Sequence, residues 1–193
     1  MSGFSTARQK MVDGQVRPSD VTDIRIIDAM LAVPREAFVP DGKRALAYLD
    51  LDLEVGAAGS AGRFLIKPAV LAKMLQAAEI RETDHVLVVG CASGYTAAVI
   101  AKFAGKVTNA AADGDPANAP FDVIVLNGAT EIVPEKLYGQ LRDGGRLVGV
   151  FAMSQPARAT IVTRSHGDFG DRVLFDAAAP VLPGMERLPA FVF

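Results

Sequence analysis

Val86-Leu87-Val88-Val89-Gly90-Cys91-Ala92-Ser93-Gly94-Tyr95-Thr96-Ala97-Ala98-Val99-Ile100 is the stretch whose reading decides the fold. With His85 before it, Val86–Val89 forms a short continuous apolar run stopped by a glycine. That is the pattern of a strand buried on both faces of a parallel sheet. Gly90–Gly94 turns the chain, and Tyr95–Phe103 reads as a helix. Strand, glycine turn and helix make a corner at the carboxyl end of a strand. Ligands of open α/β sheets gather there, and glycines let the backbone come close to them. The spacing is G-x-A-x-G, a poor match to the dinucleotide fingerprint G-x-G-x-x-G. On this motif alone, a tight turn without a ligand stays open beside a nucleotide corner.

Outward from that corner the pattern continues. Phe121–Leu126 is a second buried strand, and Pro134–Leu141 a helix closed by Asp143-Gly144-Gly145. Arg146–Phe151 is a third strand. Thr160–Arg164 and Arg172–Phe175 pair across a Ser165–Gly170 turn. Strand and helix in alternation predict a doubly wound, mostly parallel α/β sheet with a C-terminal antiparallel hairpin. Asp176–Phe193 is expected to pack back onto that sheet. Towards the N-terminus, Val21, Ile24, Ile26, Ile27, Met30 and Leu31 recur at helical spacing, with Ser19 or Thr22 as the expected cap. Val33–Pro40 breaks this helix with two prolines. Tyr48–Ala61 reads as a short extended stretch and a glycine loop, and Pro68–Ala78 as a helix that begins at proline. The whole of 1–193 is expected to be one domain. Residues 1–80 would form an N-terminal helical extension on the substrate side, and 81–193 the cofactor-binding α/β core, shortened at 108–120.

Composition narrows the function. Half of the residues are hydrophobic, which suits a sizeable core, and the net charge is −2. No basic field is present to hold nucleic acid or an anionic membrane. No run approaches the roughly 20 apolar residues of a membrane helix. Cys91 is the single cysteine, and His85 and His166 are the two histidines. A disulfide framework and a cysteine-based zinc site are excluded, no metal is expected, and a reducing, cytoplasmic setting is the default. A nucleophilic Cys91 is disfavoured, because His85 lies at the far end of its strand.

Several ordered motifs carry a more specific resemblance. Val86–Ile100 resembles the first motif of S-adenosylmethionine-dependent methyltransferases. It is most similar to that of the protein-L-isoaspartate O-methyltransferases, in which a Gly-Tyr pair ends the turn and begins the helix. MVDGQVRP, VPREAFVP and ALAYLDLDLEVG resemble that family's N-terminal region in order and spacing. FDVIVLNGATEIVPEKLYGQLRDGGRLVGVF resembles its later strand, helix, Gly-Gly turn and strand. The resemblance spans roughly residues 9–152, with one interruption. It implies a Rossmann-like methyltransferase fold, S-adenosyl-L-methionine as cofactor, and damaged proteins or peptides bearing L-isoaspartyl residues as substrate. It places the cofactor along Gly90, Cys91, Ala92, Ser93 and Gly94, with Tyr95 lining the site or packing under the sheet, and at Asn127 and Gly128. The reaction it implies needs little acid–base chemistry. A carboxylate is already a nucleophile and a sulfonium already an activated donor, so alignment and exclusion of water suffice.

The sequence departs from that family in three places. Val88 stands where the family has an acidic residue two before the first glycine. Phe64-Leu65-Ile66-Lys67-Pro68 stands where it has Thr-Ile-Ser-x-Pro, so Ile66 takes the place of a serine implicated in the active site, and no catalytic residue is assigned. An isoleucine side chain neither donates nor accepts a hydrogen bond. Arg63 and Lys67 nearby could hold a substrate carboxylate, although a solvated loop charge is their ordinary state. Third, the family has a second strand ending in an acid that binds the ribose, then a helix and a third strand. Here only Thr108–Pro120 separates Val107 from Phe121, too little for a strand–helix–strand unit of about 30 residues. Asp113 and Asp115 are the acids in reach of a ribose, with loop roles the plainer reading. Either the protein lacks the unit or its natural chain carries residues there that this sequence leaves out. An intact mass well above 20.3 kDa would show the second. A degenerate member that binds a nucleotide or a partner without methyl transfer, or a methyltransferase of another substrate, is the alternative reading.

Overall fold

Val86–Val89 lies at the heart of a six-stranded sheet in the computed structural model, which describes residues 3–56, 62–91 and 93–188. Helices α1 (Gly3–Met11), α2 (Ile24–Ala32) and α3 (Pro68–Ala77) precede it, with a two-stranded ribbon, β1 (Leu53–Glu54) and β2 (Phe64–Leu65), between α2 and α3. The sheet then builds from β3 (His85–Val89), β4 (Lys106–Ala110), β5 (Phe121–Thr130), β6 (Leu141–Phe151), β7 (Arg158–Ser165) and β8 (Asp168–Asp176). Its order is β4-β3-β5-β6-β7-β8. The first four strands run parallel and the last two are antiparallel additions. Helices α4 (Tyr95–Ile100) and α5 (Glu135–Tyr138) sit between strands. This is the expected α/β architecture with its C-terminal hairpin.

The apolar runs have no polar alternation because both faces of the sheet are covered. Val86, Val88, Val123, Val125, Val148 and Val150 face a core shared with α1–α4. Leu87, Val89, Ile124, Leu126 and Leu147 face a second core with Leu137 of α5, Leu182 and Met185. Each such side chain, removed from water, contributes about 1.5–3 kcal/mol. The C-terminal segment packs back as expected. Val181 bridges Ala129 in parallel, and the Ala129 N–H donates to Pro180 O at 2.8 Å. The Phe191-Val192-Phe193 end lies outside the described residues.

Several local expectations are corrected. The cap of α2 is Asp23, whose carboxylate accepts from the Arg25 N–H at 2.9 Å. Ser19 instead donates to Gln15 O, and Thr22 is not the cap. Ile24 is 68% exposed, because it lies on the outer side of the first turn of α2, whose Ile26 and Ile27 are buried. Helix α4 ends at Ile100, short of Phe103, and α5 spans only Glu135–Tyr138. Asp143-Gly144-Gly145 does not close a helix. It forms a bulge inside β6, where the pairs Phe121↔Leu141 and Val123↔Arg146 are out of step. The β7–β8 turn is tighter than expected. Ser165 pairs with Asp168, leaving His166 and Gly167, both at positive φ, as a two-residue hairpin turn.

The largest correction concerns 108–120. Its first residues are not loop but the end of β4, paired Val88↔Asn109 and Val89↔Ala110. Small polar residues such as Thr108 and Asn109 make a poor strand alone, but the open edge of β3 supplies a ladder for them. The helix and third strand are indeed missing. Residues 111–120 cross to β5 with only a 3₁₀ turn, Pro116–Asn118, on the way.

Candidate active site

The register of the three strands places the site. Val89 pairs with both Ala110 and Leu126, so Gly90, Ala111 and Asn127 come level at the carboxyl end. A cavity of about 370 Å³ opens there. It is bounded by Val89, Gly90 and Cys91 from β3 and its turn, Asn109–Ala112 from the end of β4 and the residues after it, Asn127 from β5, Gly62–Phe64 before α3, and Pro180–Pro183 from the C-terminal segment. Its volume falls in the range of roughly 300–1,000 Å³ that small-molecule sites occupy.

Asn127 is the pin of the site. In β5, Val125 pairs with Val148 but Ala129 with Val150, so four residues of β5 oppose two of β6. This bulge takes Asn127 out of the ladder and aims its amide inward. Its Oδ1 accepts from Thr96 Oγ1 at 2.6 Å, and its Nδ2 donates to Phe64 O at 3.1 Å and to Gly90 O at 3.2 Å. One buried side chain thus ties β2, the glycine turn and the start of α4 to the sheet. Gly90 adopts φ +74°, and its N–H donates to Ala110 O at 3.0 Å. A side chain there would meet Leu182, since a Cβ would lie 2.3 Å from its Cδ2. Gly94, at φ +89°, caps α4.

Beneath the turn lies a second polar knot. Arg35, 1% exposed, donates from Nε to Ala47 O at 2.8 Å and from Nη2 to Ile66 O at 2.9 Å. Its guanidinium stacks over the Tyr95 ring at 4.8 Å, and Phe38 meets Tyr95 edge-on at 5.6 Å. Burial pulls the Arg35 pKa down from its ordinary value, opposed by the nearby Tyr95 and Tyr48 hydroxyls and Asp52. Alongside, Tyr48 hydrogen-bonds Glu36 and accepts from Arg8 Nε at 2.9 Å. Burial and then Glu36 push the Tyr48 hydroxyl up to about 12.

Of the residues singled out from sequence, Gly90, Cys91, Asn127 and Arg63 meet at the cavity. Ala92 lies outside the described residues. Ser93, Gly94, Tyr95 and Gly128 are not among the lining residues. Tyr95 is fully buried under the turn, and Gly128 is covered by Leu182 and Pro180. Lys67 is half-buried, its N–H donating to Asp52 Oδ1 at 3.0 Å. Ile66 is 1% exposed and offers only its carbonyl, to Arg35. Asp113 turns away to Lys136 at 2.6 Å, and Asp115 accepts from Asn118. Burial raises the Cys91 thiol pKa above its ordinary value, outweighing the N–H groups at the start of α4 that lower it, so the thiol is a poor nucleophile. The sequence reading missed Asn109–Ala112 and Pro180–Pro183. The first were taken for loop, and no local pattern reveals that the second return to the site. Among the described residues, no group of three or more His, Cys, Asp or Glu could hold a metal. Likewise, no helix is long and apolar enough to cross a membrane.

A doubly wound sheet with a glycine turn, a bulge-aimed amide and a cavity across its carboxyl ends defines a nucleotide-type α/β protein. The sequence model of the family described as "Protein-L-isoaspartate(D-aspartate) O-methyltransferase" matches residues 6–112 and 106–169, and the chain belongs to that family. The two matches overlap at 106–112, at the place where the strand–helix unit is missing. The chain is 34% identical over 196 residues to "Protein-L-isoaspartate O-methyltransferase 1" of Rhodopseudomonas palustris (strain HaA2), covering 86% of this chain and 78% of that protein. It is 37% identical over 171 residues to "Protein-L-isoaspartate O-methyltransferase 2" of Anaeromyxobacter sp. (strain Fw109-5), covering 74% and 69%. Among solved structures, one titled protein-L-isoaspartate O-methyltransferase superposes with TM-score 0.79 at 21% identity, covering 92% of this chain and 66% of that one. A Plasmodium falciparum structure, titled as a protein-L-isoaspartate O-methyltransferase in complex with S-adenosyl-L-homocysteine, gives TM-score 0.71 at 14% identity. It covers 94% of this chain and 99% of that one. Enzymes of this family use S-adenosylmethionine.

The cavity fits that cofactor in size and in its backbone-lined floor at Gly90, where a Cβ would not fit. It supplies no carboxylate, since none of its lining residues is Asp or Glu.

Proposed function

We propose that this chain binds S-adenosyl-L-methionine in the cavity at the carboxyl ends of β3, β4 and β5 and methylates the carboxylate of an L-isoaspartyl residue in a damaged protein or peptide. The observation that carries this is the convergence of Gly90, Asn109–Ala112 and Asn127 on one cavity in a chain of this family. The cofactor would supply an activated methyl group. The chain's own residues hold and align. Gly90, Cys91 and Ala110–Ala112 form the bed, and Asn127 fixes the turn to the substrate side. Arg63, exposed at the rim, offers a cation to the substrate carboxylate. The knot of Arg35, Ile66 and Tyr95 keeps the Phe64–Pro68 loop against the turn. No side chain takes the role of a catalytic base, because the nucleophile is already ionised at neutral pH. The same proposal covers the chain as one domain, with 1–80 on the substrate side, in a reducing compartment such as the cytoplasm.

A second reading is a member that binds the nucleotide without methyl transfer, or one that methylates another substrate. Ile66 and Val88 favour it, since both are buried and apolar where the family has polar groups. Calorimetric titration with S-adenosylmethionine, followed by incubation with an isoaspartyl peptide and labelled cofactor, separates the two. Heat together with base-labile methyl ester supports repair methylation. Heat without ester supports the second reading, and no heat overturns both.

A further inference from the structure

The crossover 111–120 has little apolar burial to hold it. It carries one 3₁₀ turn, Pro116–Asn118, and all of its residues are exposed or half-buried. Only Ala112 and Ala119 pack against the core on that face. Its first residues, Ala111 and Ala112, nevertheless wall the cavity. A segment that buries so little must recover its ordering entropy by other means. Gln140, between α5 and β6 and 5% exposed, grips it at both ends. Its Oε1 accepts from the Asp115 N–H at 2.8 Å, and its Nε2 donates to Asp113 O at 2.8 Å and to Lys136 O at 3.1 Å. Its own carbonyl accepts from the Phe121 N–H at 2.8 Å. Between the two aspartates, Gly114 adopts φ +75° and its N–H donates to Ala111 O at 2.9 Å. A Cβ on Gly114 would run into the Gln140 amide, so the turn lies directly on that side chain. The neighbouring Asp113–Lys136 pair is exposed on both sides and adds little.

Resting on the cofactor reading above, we infer that Gln140 is a positioning residue for cofactor binding: by holding Asp113–Asp115 it keeps Ala111 and Ala112 in place as a wall of the cavity. It is not among the lining residues and acts through the main chain of the turn. In a chain with no strand–helix unit after β4, one buried amide does by hydrogen bonds what a packed helix would do by burial. The wall stands only while the turn is closed, so opening the turn lowers the fraction of molecules competent to bind.

Gln140→Met keeps the length of the side chain and removes its three hydrogen bonds. Without ligand, the Gly114 amide, bonded to Ala111 and not to Gln140, is expected to exchange its hydrogen about tenfold faster or more, as when a buried peptide group loses its partner. In calorimetric titration with S-adenosylmethionine, the Kd is expected to rise about threefold or more with the stoichiometry unchanged. A merely structural role would instead lower the stoichiometry, because fewer chains would be folded, and leave the Kd alone. Gly114→Ala forces the same turn open from the other side, should raise the Kd in the same direction, and serves if the first variant fails to fold. Lys136→Met, which removes only the exposed pair, should stay within about twofold of the wild type. A Kd that neither Gln140→Met nor Gly114→Ala moves, or a fall in stoichiometry alone, overturns the inference and leaves the cofactor reading intact. Failure of the wild type to bind overturns the cofactor reading and the inference with it.

Discussion

Two polar regions flank the glycine turn, and they differ in kind. Below it, Arg35, Tyr95, Tyr48, Glu36 and Arg8 form a knot in which Arg35 and Arg8 donate to backbone carbonyls and Arg8 also to Tyr48 and Glu36, while Arg35 Nη1 and the Tyr95 hydroxyl find no partner among the described residues. Above it, the cavity wall at Asn109–Ala112 is small and uncharged. Pro34-Arg35 and Gly94-Tyr95, from two of the stretches that carry the family resemblance, meet in this knot, with Arg35 over the Tyr95 ring. Val88 is buried and apolar where the family resemblance calls for an acid, and none of the cavity's lining residues is Asp or Glu. The knot holds charge inside the fold, while the Asn109–Ala112 wall presents none to the cavity.

The sharpest way to break that comparison is Arg35→Met. It leaves Ala47 O and Ile66 O without a donor and removes the face that covers Tyr95, so we expect a loss of about 3–5 kcal/mol in urea unfolding. A loss below 1 kcal/mol would remove the knot from the scaffold. Asn127→Asp should come next. The carboxylate cannot donate to Phe64 O or Gly90 O, and stability should fall by about 2–3 kcal/mol, with weaker cofactor binding by calorimetry. Unchanged binding would separate the pin from the site. Gly90→Ala should cost about 1–2 kcal/mol, because the position needs φ +74° and Leu182 fills the space a Cβ would take. The smallest effect is in the pH profile. Tyr48 has its pKa raised to about 12 in the folded protein from an ordinary value near 10. The neutral hydroxyl therefore stabilises the fold fully below pH 10, and this contribution fades as pH rises through 12. Tyr138 is raised to about 12 as well, chiefly by burial, so it contributes to the same decline. Tyr48→Phe should flatten the fall without abolishing it. A fall of unchanged steepness would show that the Tyr48–Glu36 contact does not couple to folding.

The strands β3, β5, β6 and β7 were legible because each contains a run whose burial is written in its own residues, and β8, exposed or half-buried throughout, because it follows β7 across a short polar turn. Their ends were not. The bulge after Val125 and the one holding Asp143–Gly145 arise from pairing with a neighbour, and nothing local to either strand marks them. Helix α4 is shorter than its apolar run because Ala101 and Lys102 face water beyond the core, an outcome of packing and not of propensity. At the site, Gly90, Cys91 and Asn127 were found because glycine spacing and strand ends carry a signal. Ser93, Tyr95 and Gly128 share that signal yet point elsewhere. Which side of a turn faces the ligand depends on what packs behind it, here Arg35, Phe38 and Leu182.

The sequence by itself determined the α/β class, the family and the corner at Gly90–Gly94, since hydrophobic runs, glycine spacing and ordered motifs are properties of short windows. It left Asp113 and Asp115 as acids in reach of that corner, and the structure turned them away to Lys136 and Asn118. Only the tertiary structure decided that 106–110 is a strand, because its small residues depend on the edge of β3 for their hydrogen bonds. Only the tertiary structure brought Pro180–Pro183 against Asn109–Ala112 to form the wall of one cavity. Contacts between segments some seventy residues apart are set by the closing of the whole core, a balance that no short window contains.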